Sequence, residues 1–384
     1  MPIRKEKYCN MNFKEIFKQG KAGRNIGLST GIPGLDQSIN GIQRKSTYSI
    51  AAAPKCGKTT LADFSFVLMP YLEALKKGTL ENVHWIYFSY EIDRISKEFK
   101  FAAFFMYYDF GVSQITYKGK MYEMSQDYLM GKLLHKNEDG SLEIIPVSEE
   151  HEEMLKSIYT NRIIPIFGEY DDLGKQIKRG VMTFIEDPEN PTGLYKGLMR
   201  YAEAHGTFIK ENYTTKDDSG RDITLQRIVG YRPTNPDKFT IIVTDHIRKL
   251  KRERGFSMKE NIDKWLEYST WLRNMCGFTF VHIVHMNRGL SNVERLKYAG
   301  EFVYPTGDDV KDSGNISEES TILLTMFKPQ DEKYNLKVHF GADLTQYPNY
   351  RSIHVADSRY TECPVHIQTN MYGGINVFTP LKQF

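Results

Sequence analysis

The chain has 384 residues, enough for one large core or two modest domains. Its net charge is only +3, so bulk electrostatics select no partner, and nucleic-acid affinity has to come from local basic clusters. Four scattered cysteines (Cys9, Cys56, Cys276, Cys363) show no CxxC or metal spacing, the N-terminus lacks a signal-peptide core, and no apolar run approaches the ~18–20 residues that span a bilayer. These features predict a soluble cytoplasmic protein with no membrane contact.

Residues 1–26 are basic. Within them Phe13, Ile16 and Phe17 share one helical face, which predicts an arm or linker helix that caps the core or docks on another subunit. The main domain is expected over 27–384. There "TYSIAAA" reads as a strand, and the helix after it runs through Leu75 with a kink expected at Pro70. "VHWIYFSY" is a strand followed by the helix "DRISKEFKFAAFFMYYDFG". "VMTFIED" precedes the helix "TGLYKGLMRYAEAHG", "FTIIVTD" precedes the helix "MKENIDKWLEYSTWLRNMCG", and "FTFVHIV" is a further strand. Alternating strands and helices predict an α/β fold: a mostly parallel sheet with helices on both faces. The last third, "STILLTMF", "NLKVHFGAD", "YRSIHVADS" and "PVHIQTNMYGGINVFTP", is strand-rich and is expected to extend the sheet antiparallel. Insertions are expected near 113–161 and 207–233, the second a β-hairpin around "DDSG".

At the first strand-to-helix turn, Ala52 to Thr59 read A-x-x-x-x-G-K-T, a Walker A pattern. Such a turn wraps backbone N–H groups around phosphate oxygens, Gly57 allows close approach, and the following helix adds its N-terminal dipole. Ala52, Ala53, Pro54, Lys55, Cys56, Gly57, Lys58, Thr59 and Thr60 form the expected cradle for ATP. Lys58 is placed to meet the β- and γ-phosphates and Thr59 to hold Mg²⁺. Cys56 reads as a small neutral loop residue in preference to a redox centre. Asp245 ends an apolar strand in the Walker B position, a second Mg²⁺ ligand. Glu91, just past the second strand, reads equally as a catalytic base or as a carboxylate at a helix N-terminus.

Seven segments in order resemble the C-terminal motor domain of DnaB-type replicative helicases, a RecA-like P-loop NTPase fold. They are "STGIPGLDQSINGIQ", "AAAPKCGKTT", "YFSYEI", "IIVTDHIRKL", "HMNRGL", "DDVKDSGNISEESTILLTMF" and "HVADSRY". The resemblance covers residue 27 to the C-terminus apart from the two insertions. It implies Glu91 as catalytic base, His285 at the γ-phosphate sensor position where the family has glutamine, and Arg359 as an arginine finger acting on the neighbouring subunit. It also implies a ring, hexameric in the family, that moves on single-stranded DNA during DNA replication with a primase or loader as partner. The family's N-terminal primase-interacting domain is expected to be missing, which points to a phage, plasmid or other mobile element acting in the host cytoplasm. Asp357 stands where the family has a basic residue.

Past Asp245, "RKLKRERG" supplies Arg248, Lys249, Lys251, Arg252 and Arg254. In RecA-like motors this loop faces the DNA, while the residues alone read equally as a solvated helix end. "DDVKDSG" is similar to the family's DNA-gripping loop. The resemblance puts Lys311 on a phosphate, with Asp312 and the backbone at Gly314 completing the grip, contacts that track a strand without reading bases. The second reading is an ATP-switched DNA-binding protein, recombinase-like or loader-like, that does not unwind. His285 and Asp357 are its support.

Overall fold

Six parallel strands, most of them buried along nearly their whole length, and three antiparallel strands beside them make one nine-stranded sheet among the described residues. The structure is a computed structural model and describes residues 13–21, 25–217, 219–287, 293–310 and 315–381. The strands are β1 Thr47–Ala52, β2 Val83–Ser89, β3 Met182–Ile185, β4 Phe239–Asp245, β5 Thr279–His285, β6 Ile322–Phe327, β7 Tyr350–Ser358, β8 Val365–Tyr372 and β9 Val377–Pro380. Their order across the sheet is β9-β8-β7-β6-β1-β5-β4-β2-β3. The run from β6 to β3 is parallel throughout. β7, β8 and β9 extend it antiparallel, as the strand-rich last third predicts.

Alternation along each strand sends side chains to two cores. On one face Tyr48, Ile50, Trp85 and Ile241 pack with Phe64, Leu68, Phe101 and Phe104. On the other, Ala51, Ile86, Ile242 and Phe280 pack with Leu194, Leu198, Trp265 and Leu266. The helices that cover the first face are Lys58–Asp63, continued as Met69–Lys76, and Arg94–Phe110. Those on the second are Pro191–Ala204 and Met258–Cys276.

Where a kink is expected at Pro70, the helix has a π-helical turn just before it, Phe64–Leu68, in which the Met69 N–H bonds back to Phe64 O. Proline has no N–H, so the Phe66 carbonyl four residues earlier loses its helical donor. The Trp85 indole Nε1–H takes that place at 2.8 Å.

One strand expectation is corrected. "NLKVHFGAD" does not join the sheet: Val338–His339 and Ala342–Asp343 form their own two-stranded ribbon. Phe340 and Gly341 both have positive φ, 46° and 77°, which folds the chain back after two residues. β6, the sheet strand next before it in the chain, already has β1 and β7 on its two edges. His339 anchors the ribbon instead, through Tyr350 Oη at 2.9 Å and Val303 O at 2.9 Å.

Segment 113–161 holds two short ribbons, Gln114–Tyr117 with Lys120–Glu123 and Leu134–Lys136 with Leu142–Ile144, and the helix Glu149–Ile158. It buries Ile115, Tyr128, Leu129 and Ile145 in the same core as Phe101, so it is part of that face. Gly206–Lys216 and Asp222–Pro233 pair as the long hairpin.

Candidate nucleotide site

Because β1, β2, β4 and β5 run parallel, the residues after all four strands meet at one sheet edge, the usual ligand crevice of open α/β folds. The turn after β1 has the shape a phosphate loop needs. Lys55 and Gly57 have φ of 60° and 109°. The backbone angle at Gly57 is what requires glycine; a Cβ there would also stand 2.3 Å from Met371 Sδ, the end of a side chain that can move aside. Lys58 is 8% exposed, and its ammonium donates to the Ala52 and Ala53 carbonyls, each at 3.2 Å. Burial lowers its pKa from the usual lysine value. Cys56 is buried, its Sγ lies 3.5 Å from Met326 O, and burial pushes the thiol up to about 11, so it is an inert loop residue. Arg351, from β7, donates through Nε to the Cys56 carbonyl at 3.0 Å and braces the loop from below.

Thr59 Oγ1 donates to Asp245 Oδ1 at 3.3 Å, which brings together the two sequence-predicted Mg²⁺ ligands. A hydroxyl and one carboxylate facing an open phosphate site fit Mg²⁺, which takes few protein oxygens and completes its shell with water and phosphate. Among the described residues no group of three or more His, Cys, Asp or Glu is arranged to hold a metal ion. Burial raises the Asp245 pKa and Lys97 opposes it.

Behind Asp245 lies a buried charge cluster that sequence reading missed. Tyr87 Oη donates to Asp63 Oδ1 at 2.8 Å and stands 3.5 Å from Asp245 Oδ2. Lys97 Nζ reaches both Asp63 oxygens at 3.0 and 3.1 Å and Tyr87 Oη at 3.0 Å, and Lys100 Nζ reaches Asp63 Oδ2 at 2.9 Å. Both side chains of the Asp63–Lys97 pair are 0% exposed. Burial alone would raise the Asp63 carboxyl, but Lys100 and Lys97 outweigh it and hold it ionised. A signal was available: Lys97 shares a helical face with the apolar Phe101 and Phe104, an odd place for an unpaired cation.

Glu91 stands in the turn between β2 and the helix Arg94–Phe110. The helix cap is Asp93, whose carboxylate accepts from Ser96 N at 2.8 Å and Ser96 Oγ at 2.7 Å, so Glu91 is not needed for capping. Its Oε1 lies 3.1 Å from His246 Nε2 and 3.7 Å from Lys249 Nζ. His246 Nε2 also lies 3.2 Å from His285 Nε2, with the rings edge to face. The β1–β5 register sets His285 beside Ala52 at the start of the loop. Sequence reading passed over His246, although it directly follows Asp245 in "VTDHI".

Arg248 and Lys249 lie in a short 3-10 turn, Ile247–Lys249, at this same edge, and Lys249, Lys251, Arg252 and Arg254 are exposed or half-buried. Lys311, Asp312 and Gly314 lie outside the described residues. Arg359 is elsewhere. β7 is antiparallel to β6, with Ser358 opposite Ile322, and Ile322 is opposite Tyr48. Arg359 therefore sits at the sheet end away from its own phosphate loop, separated by a six-residue strand that rises roughly 17 Å. It is exposed, and its guanidinium donates to Glu318 O, while Asp357 accepts from Ser317 Oγ at 3.2 Å. Each of the two side chains that proximity in sequence would pair thus has a different partner.

No protein-family model matches the sequence, and no curated protein matches it. Solved structures match it in fold. One, described as an ATPase domain, superposes with a TM-score of 0.60 at 12% identity, covering 96% of this chain and 96% of that one. A DnaB-like replicative helicase, described together with its interactions with primase, gives 0.60 at 12% identity over 96% of this chain. This chain spans 65% of that helicase's chain, just under two thirds of its length. The fold is therefore that of the RecA-like ATPase domain of DnaB-like helicases.

Proposed function

We propose that the protein is an ATP hydrolase of the DnaB-like helicase kind. In this reading a ring of copies, hexameric by analogy, hydrolyses ATP between subunits and moves on single-stranded DNA during replication. The observation that carries the proposal is the meeting of Lys58, Thr59, Asp245, Glu91 and His285 at one sheet edge, with Thr59 and Asp245 in contact at 3.3 Å. Each group has a distinct task there. The loop N–H groups and Lys58 bind the phosphates, and Thr59 and Asp245 would hold Mg²⁺, which neutralises charge on the transferring phosphoryl group. Glu91 orients the attacking water and His285 senses the γ-phosphate. Arg359, turned away from its own loop, is supplied to a neighbouring subunit. The basic run from Lys249 to Arg254 offers phosphate contacts to the DNA strand. A primase or loader partner, a cytoplasmic location and a phage or mobile-element source belong to the same reading.

The test is ATP turnover with and without single-stranded DNA, paired with strand displacement on a forked duplex. Mg²⁺-dependent turnover that DNA stimulates, together with displacement of the strand, is the expected result. Turnover and ATP-dependent DNA binding without displacement would replace the helicase reading with that of an ATP-switched DNA-binding protein. No turnover under any condition would remove the ATPase reading.

A further inference from the structure

His246 caps the turn Ile247–Lys249 through one ring nitrogen, and capping leaves the placement of its other ring nitrogen unexplained. Its Nδ1 accepts the Arg248 N–H at 3.3 Å, so the neutral ring carries its hydrogen on Nε2. That single hydrogen faces two acceptors: Glu91 Oε1 at 3.1 Å and His285 Nε2 at 3.2 Å. To accept, His285 must carry its own hydrogen on Nδ1. If His285 instead presents Nε2–H to a phosphate oxygen, it stops being an acceptor, and the His246 hydrogen goes entirely to Glu91. The ring is held for this exchange, since its side chain is only 5% exposed and it packs edge to face on His285 with centroids 4.3 Å apart.

We infer that His246 is a positioning residue that links the γ-phosphate sensor to the base: when His285 engages phosphate, His246 fixes one oxygen of Glu91 and leaves the other aimed at the attacking water. The inference rests on the nucleotide reading above. It places the coupling in one side chain that touches both partners and that also begins the basic turn Ile247–Lys249 through its Nδ1.

Two substitutions separate this role from simple capping. In His246→Asn the amide oxygen stands near Nδ1 and keeps the Arg248 N–H bond, but no donor reaches Glu91. In His246→Gln the amide nitrogen stands near Nε2 and keeps the donor, but the cap is lost. ATP turnover and nucleotide affinity are measured on both, with the wild type and Lys58→Ala as references. The expected result is a fall in kcat of about 10–100-fold for His246→Asn, with nucleotide affinity within about twofold, and kcat within about fivefold of wild type for His246→Gln. Adding His246→Asn to Glu91→Gln should slow turnover no further. Full kcat in His246→Asn, or an equal loss in both variants, would overturn the inference, and so would the reverse pattern, which signifies a cap alone. A wild type no faster than Lys58→Ala would instead remove the nucleotide reading on which the inference stands.

Discussion

In the proposed reading Lys58 would meet a nucleotide with most of its desolvation already done. Its ammonium is 8% exposed and rests on two loop carbonyls that phosphate oxygens can replace. Lys58→Ala should therefore lower turnover by at least about 10²-fold while leaving thermal unfolding within a few degrees of wild type. Calorimetry and a phosphate-release assay check both halves, and turnover within about tenfold of wild type would mean the loop serves another purpose. Glu91 is a different case, because 42% of its side chain remains open and only one of its oxygens meets His246. Glu91→Gln keeps an acceptor for that histidine. The variant should bind ATP normally yet hydrolyse it about 10²–10⁴-fold more slowly. Loss of binding together with hydrolysis would make Glu91 a structural residue.

Between elements, the buried Asp63–Lys97 pair joins two helices that both start at the sheet edge of the candidate site. Asp63 ends the first segment of the helix that begins with Lys58, and Lys97 lies in the first turn after Asp93. The pair thus holds the phosphate-loop helix and the Glu91 turn in register, with Tyr87 passing the contact on to Asp245. Removing one member of a buried pair leaves the other charge stranded, at a cost on the order of 3–5 kcal/mol. Lys97→Met should fall at the low end, because Lys100 still reaches Asp63. The combined change Asp63→Leu, Lys97→Met and Lys100→Met should be less destabilising than Asp63→Leu alone, because no charge of the cluster is then left without its partner. Denaturant melts of the variants decide it: a Lys97→Met protein as stable as wild type would show that the pair holds nothing in place.

At the scale of the whole molecule, one chain cannot bring its own Arg359 to its own phosphate loop, since the two lie at opposite ends of β6 and β1. An exposed arginine at a subunit edge can be worth ~10³–10⁵ in rate if it reaches a neighbour's γ-phosphate, but only ~0–1 kcal/mol as a surface ion pair. Arg359→Ala and Lys58→Ala proteins should each be inactive alone. Mixed under conditions of subunit exchange, they should regain part of the DNA-stimulated turnover, because some interfaces then join an intact loop to an intact arginine. No recovery despite demonstrated exchange would count against a finger in trans, and a fully active Arg359→Ala would end the assignment.

Local chemistry carried a good deal of this in the sequence itself. The A-x-x-x-x-G-K-T turn, the apolar run ending at Asp245 and the alternation of strands with amphipathic helices all depend on neighbours within a few residues, and such patterns survive without knowledge of the fold. The long hairpin was legible for the same reason: two alternating runs flank one polar turn. What depended on residues far apart in sequence was not legible. His246 meets Glu91 across 155 positions and Lys97 meets Asp63 across 34, and no local pattern encodes either distance. The ribbon at Val338–Asp343 has the composition of a sheet strand, yet β6 was already flanked on both edges and the Phe340–Gly341 turn reversed the chain. The sequence by itself determined the A-x-x-x-x-G-K-T turn between a strand and a helix and the order of the elements, because backbone geometry and side-chain periodicity are short-range. Only the tertiary structure decided which buried charges are paired, what holds Glu91, and that Arg359 faces away from its own loop, because burial and strand register are properties of the assembled sheet.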